Sequence, residues 1–259
     1  NEFYFSFAVA QKEPTRSDFT DRHMFAEDDS YPSSEKLCDY ELGYTYTAPR
    51  LRLGVNLYYM KYKDQLVPTG MVNDDSNALN TNVPESYRRG VELSASWRAT
   101  GWFTVGANAT FSQNRIENYV DALKDSPTYG KELGDMTIAY SPDVIANAFL
   151  NFHHRGFEAV FHTQHVGKQY FTNNENDALS LDAYCVTNLN LTYTFRTRSA
   201  RSVRLGLLIN NLFNAEYESN GYGYSYMDTW SGPAPVRIDE AYYFPQAPLN
   251  VLANVTVKF

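Results

Sequence analysis

The chain has 259 residues, of which 43% are hydrophobic and 15% aromatic, including 21 Tyr. Its formal net charge of −8 argues against nucleic acid as a partner, because proteins that bind nucleic acid usually present basic surfaces. Cys38 and Cys185 are too few for a disulfide framework, and the lack of any run of about 18 apolar residues excludes a predicted transmembrane helix.

Alternation of apolar and polar residues with period two dominates the chain, and helical periodicity is nearly absent. Near the middle of residues 184–195, for example, Leu189 and Leu191 alternate with Asn188 and Asn190. The sequence therefore predicts an all-β protein. Its ten predicted strands cover residues 3–10, 38–47, 51–64, 87–98, 102–115, 144–153, 157–169, 184–195, 203–213 and 249–259.

The nine connections between these strands alternate strictly between short and long. This pattern predicts an antiparallel meander with all short turns at one end and all long loops at the other. The short connections are 47–50, 99–101, 154–156 and 196–201, and the long ones are 11–37, 65–86, 116–143, 170–183 and 214–248.

Three features favour a membrane barrel over a soluble β-sandwich. The second face of the strands is rich in Asn, Thr, Ser and Gly, the strands reach about 10 residues, and aromatic residues gather at strand ends. Charged residues also fall on the non-apolar face, as expected if the apolar face meets lipid. The predicted aromatic girdles contain Tyr58, Tyr59 and Tyr170 towards the long loops, and Trp97, Trp102, Phe195 and Phe259 towards the short turns.

Several stretches, in this order and spacing, resemble the C-terminal barrel of TonB-dependent outer-membrane receptors, in a form typical of Bacteroidetes. The first two are "YELGYTYTAPRLRLGVNLYYMKYKDQLV" (40–67) and "ESYRRGVELSASW" (85–97). The others are "INNLFNAEYESNGYGYSY" (209–226) and "YYFPQAPLNVLANVTVKF" (242–259). Residues 8–21 are similar to a further box of the family, and the resemblance runs along essentially the whole chain.

The resemblance implies a 22-stranded transmembrane barrel in the bacterial outer membrane, of which residues 1–259 are the last ten strands. The N-terminal plug and the first strands are then expected to lie outside this sequence. The implied function is TonB-dependent uptake of a scarce nutrient, a ferric siderophore or related iron chelate, with haem, cobalamin or an oligosaccharide as alternatives. The implied partners are the remaining strands and plug, TonB through that plug, outer-membrane lipid or lipopolysaccharide, a small-molecule ligand and a surface lipoprotein.

The long connection 214–248 is the predicted border of the ligand vestibule. Its aromatic residues could form a wall over a flat or ring-shaped ligand, with Arg237 meeting an anionic group. The tyrosines could equally pack the loop against its neighbours, which is the commoner use of such side chains. The candidate residues in this loop are Tyr222, Tyr224, Tyr226, Trp230, Arg237 and Tyr242.

His23 is a further candidate, because haem-uptake members of the family carry an axial histidine between corresponding boxes. The boxes here depart from that pattern, so a solvated loop histidine is the favoured interpretation. Neither a metal site, a cofactor nor an enzymatic activity is predicted. The alternative of another class is a ten-stranded outer-membrane protease in which His162 and Asp177 would act as base and orienter.

Overall fold

A computed structural model describes residues 1–23, 31–73 and 77–259, with the backbone alone for residues 21–23. The polypeptide is almost entirely antiparallel β-structure, with a short helix α1 (Arg16–His23) in the first long connection. The strands, in chain order, are β1 (Glu2–Lys12), β2 (Glu35–Ala48), β3 (Leu51–Val72), β4 (Ala78–Arg98), β5 (Phe103–Ile116), β6 (Met136–Thr137), β7 (Val144–His154), β8 (Phe157–Val166), β9 (Gln169–Tyr170), β10 (Ser180–Leu181), β11 (Tyr184–Phe195), β12 (Ser202–Asn210), β13 (Glu218–Asp228), β14 (Val236–Pro245) and β15 (Asn250–Lys258).

Ten of these strands form one sheet in the order β1-β2-β3-β4-β5-β7-β8-β11-β12-β15, and they match the ten predicted strands. Every neighbouring pair is antiparallel, and the two-residue β6 adds to the end of β5. Within the described residues, β1 pairs only with β2 and β15 only with β12. The sheet is therefore an open, partial barrel.

The four short turns lie where the sequence predicts them, but the long connections hold more structure than expected. The prediction that 65–86 is a loop is wrong, because β3 and β4 continue their ladder through Gln65 opposite Val83 and Val67 opposite Thr81. The break in the alternation comes from Asp64, which adopts a positive φ of 56°. Beyond it Gln65 accepts a hydrogen bond from Ser86 on the polar face.

The two faces of the sheet have opposite chemistry. Leu53, Leu57 and Leu93 lie on the apolar face and are 41%, 48% and 44% exposed. On the polar face, cross-strand hydrogen bonds join Asn56 to Glu92 and Asn147 to Asn108 at 3.3 and 3.2 Å. A broad exposed apolar band opposite a hydrogen-bonded polar face is the pattern of a barrel wall in lipid.

Buried core occurs at the long-loop end. One cluster contains Val67, Val83, Ile116, Tyr119 and Ile138. A second contains Phe171, Leu179 and Leu181. In the described ranges, no helix is long and apolar enough to cross a membrane. Both clusters of buried apolar side chains thus lie in the loop layer that would hold a site.

Candidate ligand-binding site

The last long connection folds into the hairpin β13–β14, whose side chains alternate between two faces. Tyr222 lies opposite Tyr242 and Tyr224 opposite Glu240, while Ser225 lies opposite Asp239 between them. We call the side of Tyr222, Tyr224, Tyr226, Glu240 and Tyr242 the tyrosine face. The docking face carries Gly221, Gly223, Ser225, Asp239, Ala241 and Tyr243.

The rings of the tyrosine face form a continuous row. Tyr222 and Tyr242 lie 4.9 Å apart between ring centroids, with their planes 14° apart. Tyr224 continues the row at 6.4 Å from both Tyr242 and Tyr226. Trp230, at the hairpin tip, lies 6.3 Å from Tyr226 with its plane within 3° and is 75% exposed. The structure therefore brings five of the predicted vestibule residues together.

Glu240 lies among these rings and accepts three phenol hydrogen bonds. Tyr224, Tyr242 and Tyr226 donate to its carboxylate at 2.7, 2.8 and 3.2 Å. These hydrogen bonds, first that of Tyr224, lower the pKa of Glu240. The same bond to Glu240 raises the pKa of Tyr224. At neutral pH the face therefore carries an ionised carboxylate surrounded by neutral phenols.

The docking face holds the hairpin against residues 170–181. A Cβ added to Gly223 would lie 2.9 Å from both Leu179 and Phe171, so only a glycine fits this contact. Gly221 approaches Phe171 in the same way, and the ring of Tyr243 lies 5.8 Å from that of Phe171. The hairpin thus has one side packed and the other open.

The sequence hypothesis places Arg237 beside the tyrosines, but in the structure it lies on the other face of the hairpin. It occupies the register opposite Met227, on the docking face. Its guanidinium donates to Asp239 at 2.9 Å and to Ser225 at 3.1 Å. Period-two alternation from Tyr242 would have placed Arg237 on the opposite side, so the separation could be inferred from sequence once the strand is recognised.

Two polar networks behind the hairpin, one buried and one half-buried, tie the loops to the sheet, and the sequence predicts neither. Asn173 is fully buried, donates to the carbonyl of Pro68 at 2.6 Å and accepts from the backbone N–H of Ala139 at 2.7 Å. Arg115 and Thr137 both bond the carboxylate of Glu175. Asn173 and Glu175 lie inside a long loop and Arg115 near the end of β5, where no periodic signal indicates such contacts.

The apolar face carries a belt of rings near the long-loop end. We call Phe7, Tyr40, Tyr59 and Tyr87 the upper belt; successive centroids lie 5.0, 6.4 and 6.3 Å apart across four strands. Leu51, which pairs with Trp97 at the short-turn end, lies eight residues before Tyr59 on β3. The two levels of aromatic rings are therefore roughly 26 Å apart along the strand. With a usual tilt this spans roughly 20 Å, near the height of an outer-membrane apolar band.

The other predicted girdle residues are distributed as follows. Tyr58 lies on the polar face, with its ring over Gly90, and so does not join the belt. Tyr170 lies in the small β9–β10 sheet, where Lys168 covers its ring at 4.9 Å. At the short-turn end, Trp102 contacts Phe152 at 6.2 Å, Phe195 contacts Tyr193 at 5.6 Å, and Trp97 and Phe259 are 51% and 92% exposed.

Basic side chains lie on the apolar face directly beyond the upper belt. Lys36 pairs with Lys63 across β2 and β3, and Lys61 follows Tyr59 on the same face. Arg89 pairs with Tyr59 and lies 5.1 Å from the ring of Tyr87. All four are exposed; Lys61 also forms an ion pair with Glu85 at 3.1 Å. We call Lys36, Lys61, Lys63 and Arg89 the outer basic patch.

The remaining candidates do not assemble a site. His23 ends α1, but its side chain lies outside the described residues. Asp177 is held by Lys168 at 2.5 Å, whereas His162 lies in the sheet opposite Asn188. In the described part of the chain, no group of three or more His, Cys, Asp or Glu side chains could hold a metal ion.

Comparison with known proteins identifies a family. A family model described as TonB dependent receptor-like, beta-barrel, matches residues 3–212. None of the curated proteins compared with the chain matches it.

Solved structures share the fold at low identity. The ferric yersiniabactin uptake receptor FyuA from Yersinia pestis is similar with a TM-score of 0.66 and 19% identity, over 99% of this chain and 35% of that one. The copper transporter OprC is similar with a TM-score of 0.68 and 17% identity, over 99% of this chain and 37% of that one. The ferric-catecholate import receptor Fiu from K12 E. coli is similar with a TM-score of 0.64 and 18% identity, over 98% of this chain and 32% of that one. The chain thus spans about a third of the length of these structures.

The glycines of the docking face provide a test of the packing. We expect Gly223→Val to weaken docking of the hairpin by about 1–3 kcal/mol, because the new side chain collides with Leu179 and Phe171. Limited proteolysis within residues 229–235 should then become faster. The matched control is Gly232→Val at the tip, where an added Cβ meets only the carbonyl of Ala234 at 4.0 Å. Equal cleavage of the two variants would contradict this packing.

Proposed function

The chain belongs to the TonB-dependent receptor family, and we propose that it contributes the C-terminal part of an outer-membrane barrel that imports a ferric siderophore or related iron chelate. In this proposal the sheet is the last ten strands of a 22-stranded barrel in the bacterial outer membrane. The single observation that carries the proposal is the open row of aromatic side chains on β13–β14, held rigidly at the long-loop end.

The intact receptor would supply the strands missing from this sheet. Backbone groups left unpaired in lipid cost several kcal/mol each, so the free edges of β1 and β15 need partners. We assign those partners to the remaining strands of the same barrel, and the gate inside it to an N-terminal plug that TonB engages. The family consists of receptors and transporters, and capture and passage of a ligand require no bond to be made or broken.

The tyrosine face would capture the ligand through many weak contacts. Tyr222 and Tyr242 are 46% and 44% exposed where the ligand would approach, Tyr224 and Tyr226 are half-buried, and the hairpin beneath them packs on Phe171 and Leu179. Preorganised aromatic side chains bind with little loss of side-chain entropy. The names of the similar structures, two ferric-chelate receptors and a copper transporter, support a metal-containing ligand, whereas haem, cobalamin and oligosaccharide remain outcomes of the test.

We further assign the outer basic patch to the phosphates of lipopolysaccharide. Exposed Lys and Arg side chains just beyond an aromatic belt lie at the height of lipid headgroups, where basic clusters attract anionic lipids. Lys36 and Lys63 are adjacent across the strands, and Glu85, which lies opposite Lys63 and pairs with Lys61, is one carboxylate against the four cations of the patch.

The uptake proposal is tested by comparing a deletion strain with the wild type on defined ferric siderophores, haem, cobalamin and oligosaccharides. We expect the deletion to lose uptake of a ferric siderophore alone. Tyr242→Ala should reduce that uptake about tenfold, since it removes the exposed ring that connects Tyr222 to Tyr224 in the row. The matched control is Tyr46→Ala, a similarly exposed tyrosine at the short-turn end of the apolar face. Equal uptake of every iron source by the two strains would contradict the proposal.

The lipid assignment is tested with the double variant Lys36→Glu/Lys63→Glu in the intact receptor. We expect at least a severalfold drop in lipopolysaccharide that copurifies with the receptor, because the patch changes from attracting to repelling phosphate. Arg155→Glu/Arg198→Glu makes the same charge change in short turns at the opposite end and should leave the amount unchanged. Equal loss in both double variants would show that position does not matter and would reject the assignment.

A further inference from the structure

We propose that Glu240 makes the tyrosine face selective by charge, so that it takes a ferric chelate of neutral or positive net charge and disfavours polyanionic chelates. The inference rests on the proposed function of this face and names its substrate class.

The formal charges on the tyrosine face are negative. By register, the positions on this side of the hairpin are 220, 222, 224, 226 and 228 on β13 and 236, 238, 240, 242 and 244 on β14. Of these only Asp228 and Glu240 carry charge, and neither Lys nor Arg occurs among them. Arg237, the cation of the hairpin strands, lies on the other side in contact with Asp239. A polyanion approaching the rings would therefore meet carboxylates and find no cation there.

The hydrogen-bonding groups of the tyrosine face also disfavour a polyanionic chelate. The phenol hydrogens of Tyr224, Tyr226 and Tyr242 are all directed to Glu240. Their oxygens keep lone pairs that accept further hydrogen bonds, so these three residues serve a ligand that donates. Catecholate oxygens only accept, whereas an ammonium group both donates and carries the complementary charge.

The aromatic row favours the same class of ligand. Cations are attracted to the faces of Tyr and Trp rings, and a nearby carboxylate strengthens that attraction. The row from Tyr222 to Trp230 gives a cationic ligand several such contacts, with Glu240 at its centre. An extended iron chelate with a free ammonium, such as a linear tris-hydroxamate, matches these features.

The test measures binding by the full receptor in cells of the deletion strain, with three iron chelates as probes. The probes are a ferric tris-hydroxamate with a free ammonium, its neutral N-acetylated form and a ferric tris-catecholate. We expect affinity to fall in that order for the wild type. Glu240→Gln should reduce the ratio of ammonium-probe to catecholate affinity about tenfold. Glu240→Asp keeps the charge and should retain the order, which separates a charge effect from misfolding.

The matched control is Glu216→Gln, which removes the same charge from an exposed position in the same loop, outside the tyrosine face. Glu216→Gln should leave the ratios of affinity between the three probes within twofold of the wild-type ratios. Preferred binding of the tris-catecholate by the wild type, or ratios that Glu240→Gln does not move, would overturn the charge selection while leaving iron-chelate uptake intact. Binding of none of the three probes by the wild type would overturn the proposed function itself.

Discussion

The structure depends on one constraint, which is that backbone N–H and C=O groups in lipid must be hydrogen-bonded within the protein. An antiparallel ladder meets this demand for every interior strand of the sheet. The ladder also imposes a period of two on the side chains, so that each strand divides into one face for lipid and one for the polar interior. Arg52, Glu92, Glu158 and Arg204 all occupy the polar register, as that division requires.

The same constraint explains where the protein can build a site. Most side chains of the wall face lipid or the polar interior, whereas the two clusters of buried apolar side chains lie where the long loops meet. There Gly221 and Gly223 allow the β13–β14 hairpin to approach Phe171 and Leu179. The docking face of the hairpin is packed and the tyrosine face is open. The same period-two alternation of side chains that gives the wall a lipid face and a polar face gives the hairpin these two faces.

Sequence patterns predicted the wall well because each residue's face is decided locally by its neighbours. All ten strands were predicted, and the strand Tyr184–Phe195 has its predicted bounds. The sequence does not predict the extension of β3 past Asp64, because one residue with positive φ inverts the alternation of faces. The sequence predicts a loop at the β13–β14 hairpin although "YGYSY" alternates, because glycines at this density are typical of loops. That prediction groups Arg237 with residues that lie on the other face, and the sequence does not indicate the role of Asn173 because its partners are distant in sequence.

The central claim is that the apolar face of the sheet contacts lipid and the polar face contacts water. The most direct measurement places nitroxide labels one at a time at residues 91–96 of β4, in a Cys38→Ser/Cys185→Ser receptor reconstituted in phospholipid vesicles. Collision with oxygen, which concentrates in lipid, should be highest at Val91, Leu93 and Ala95. Collision with a water-soluble nickel chelate should be highest at Glu92, Ser94 and Ser96. Equal accessibility along all six residues, or the inverse alternation, would contradict the account.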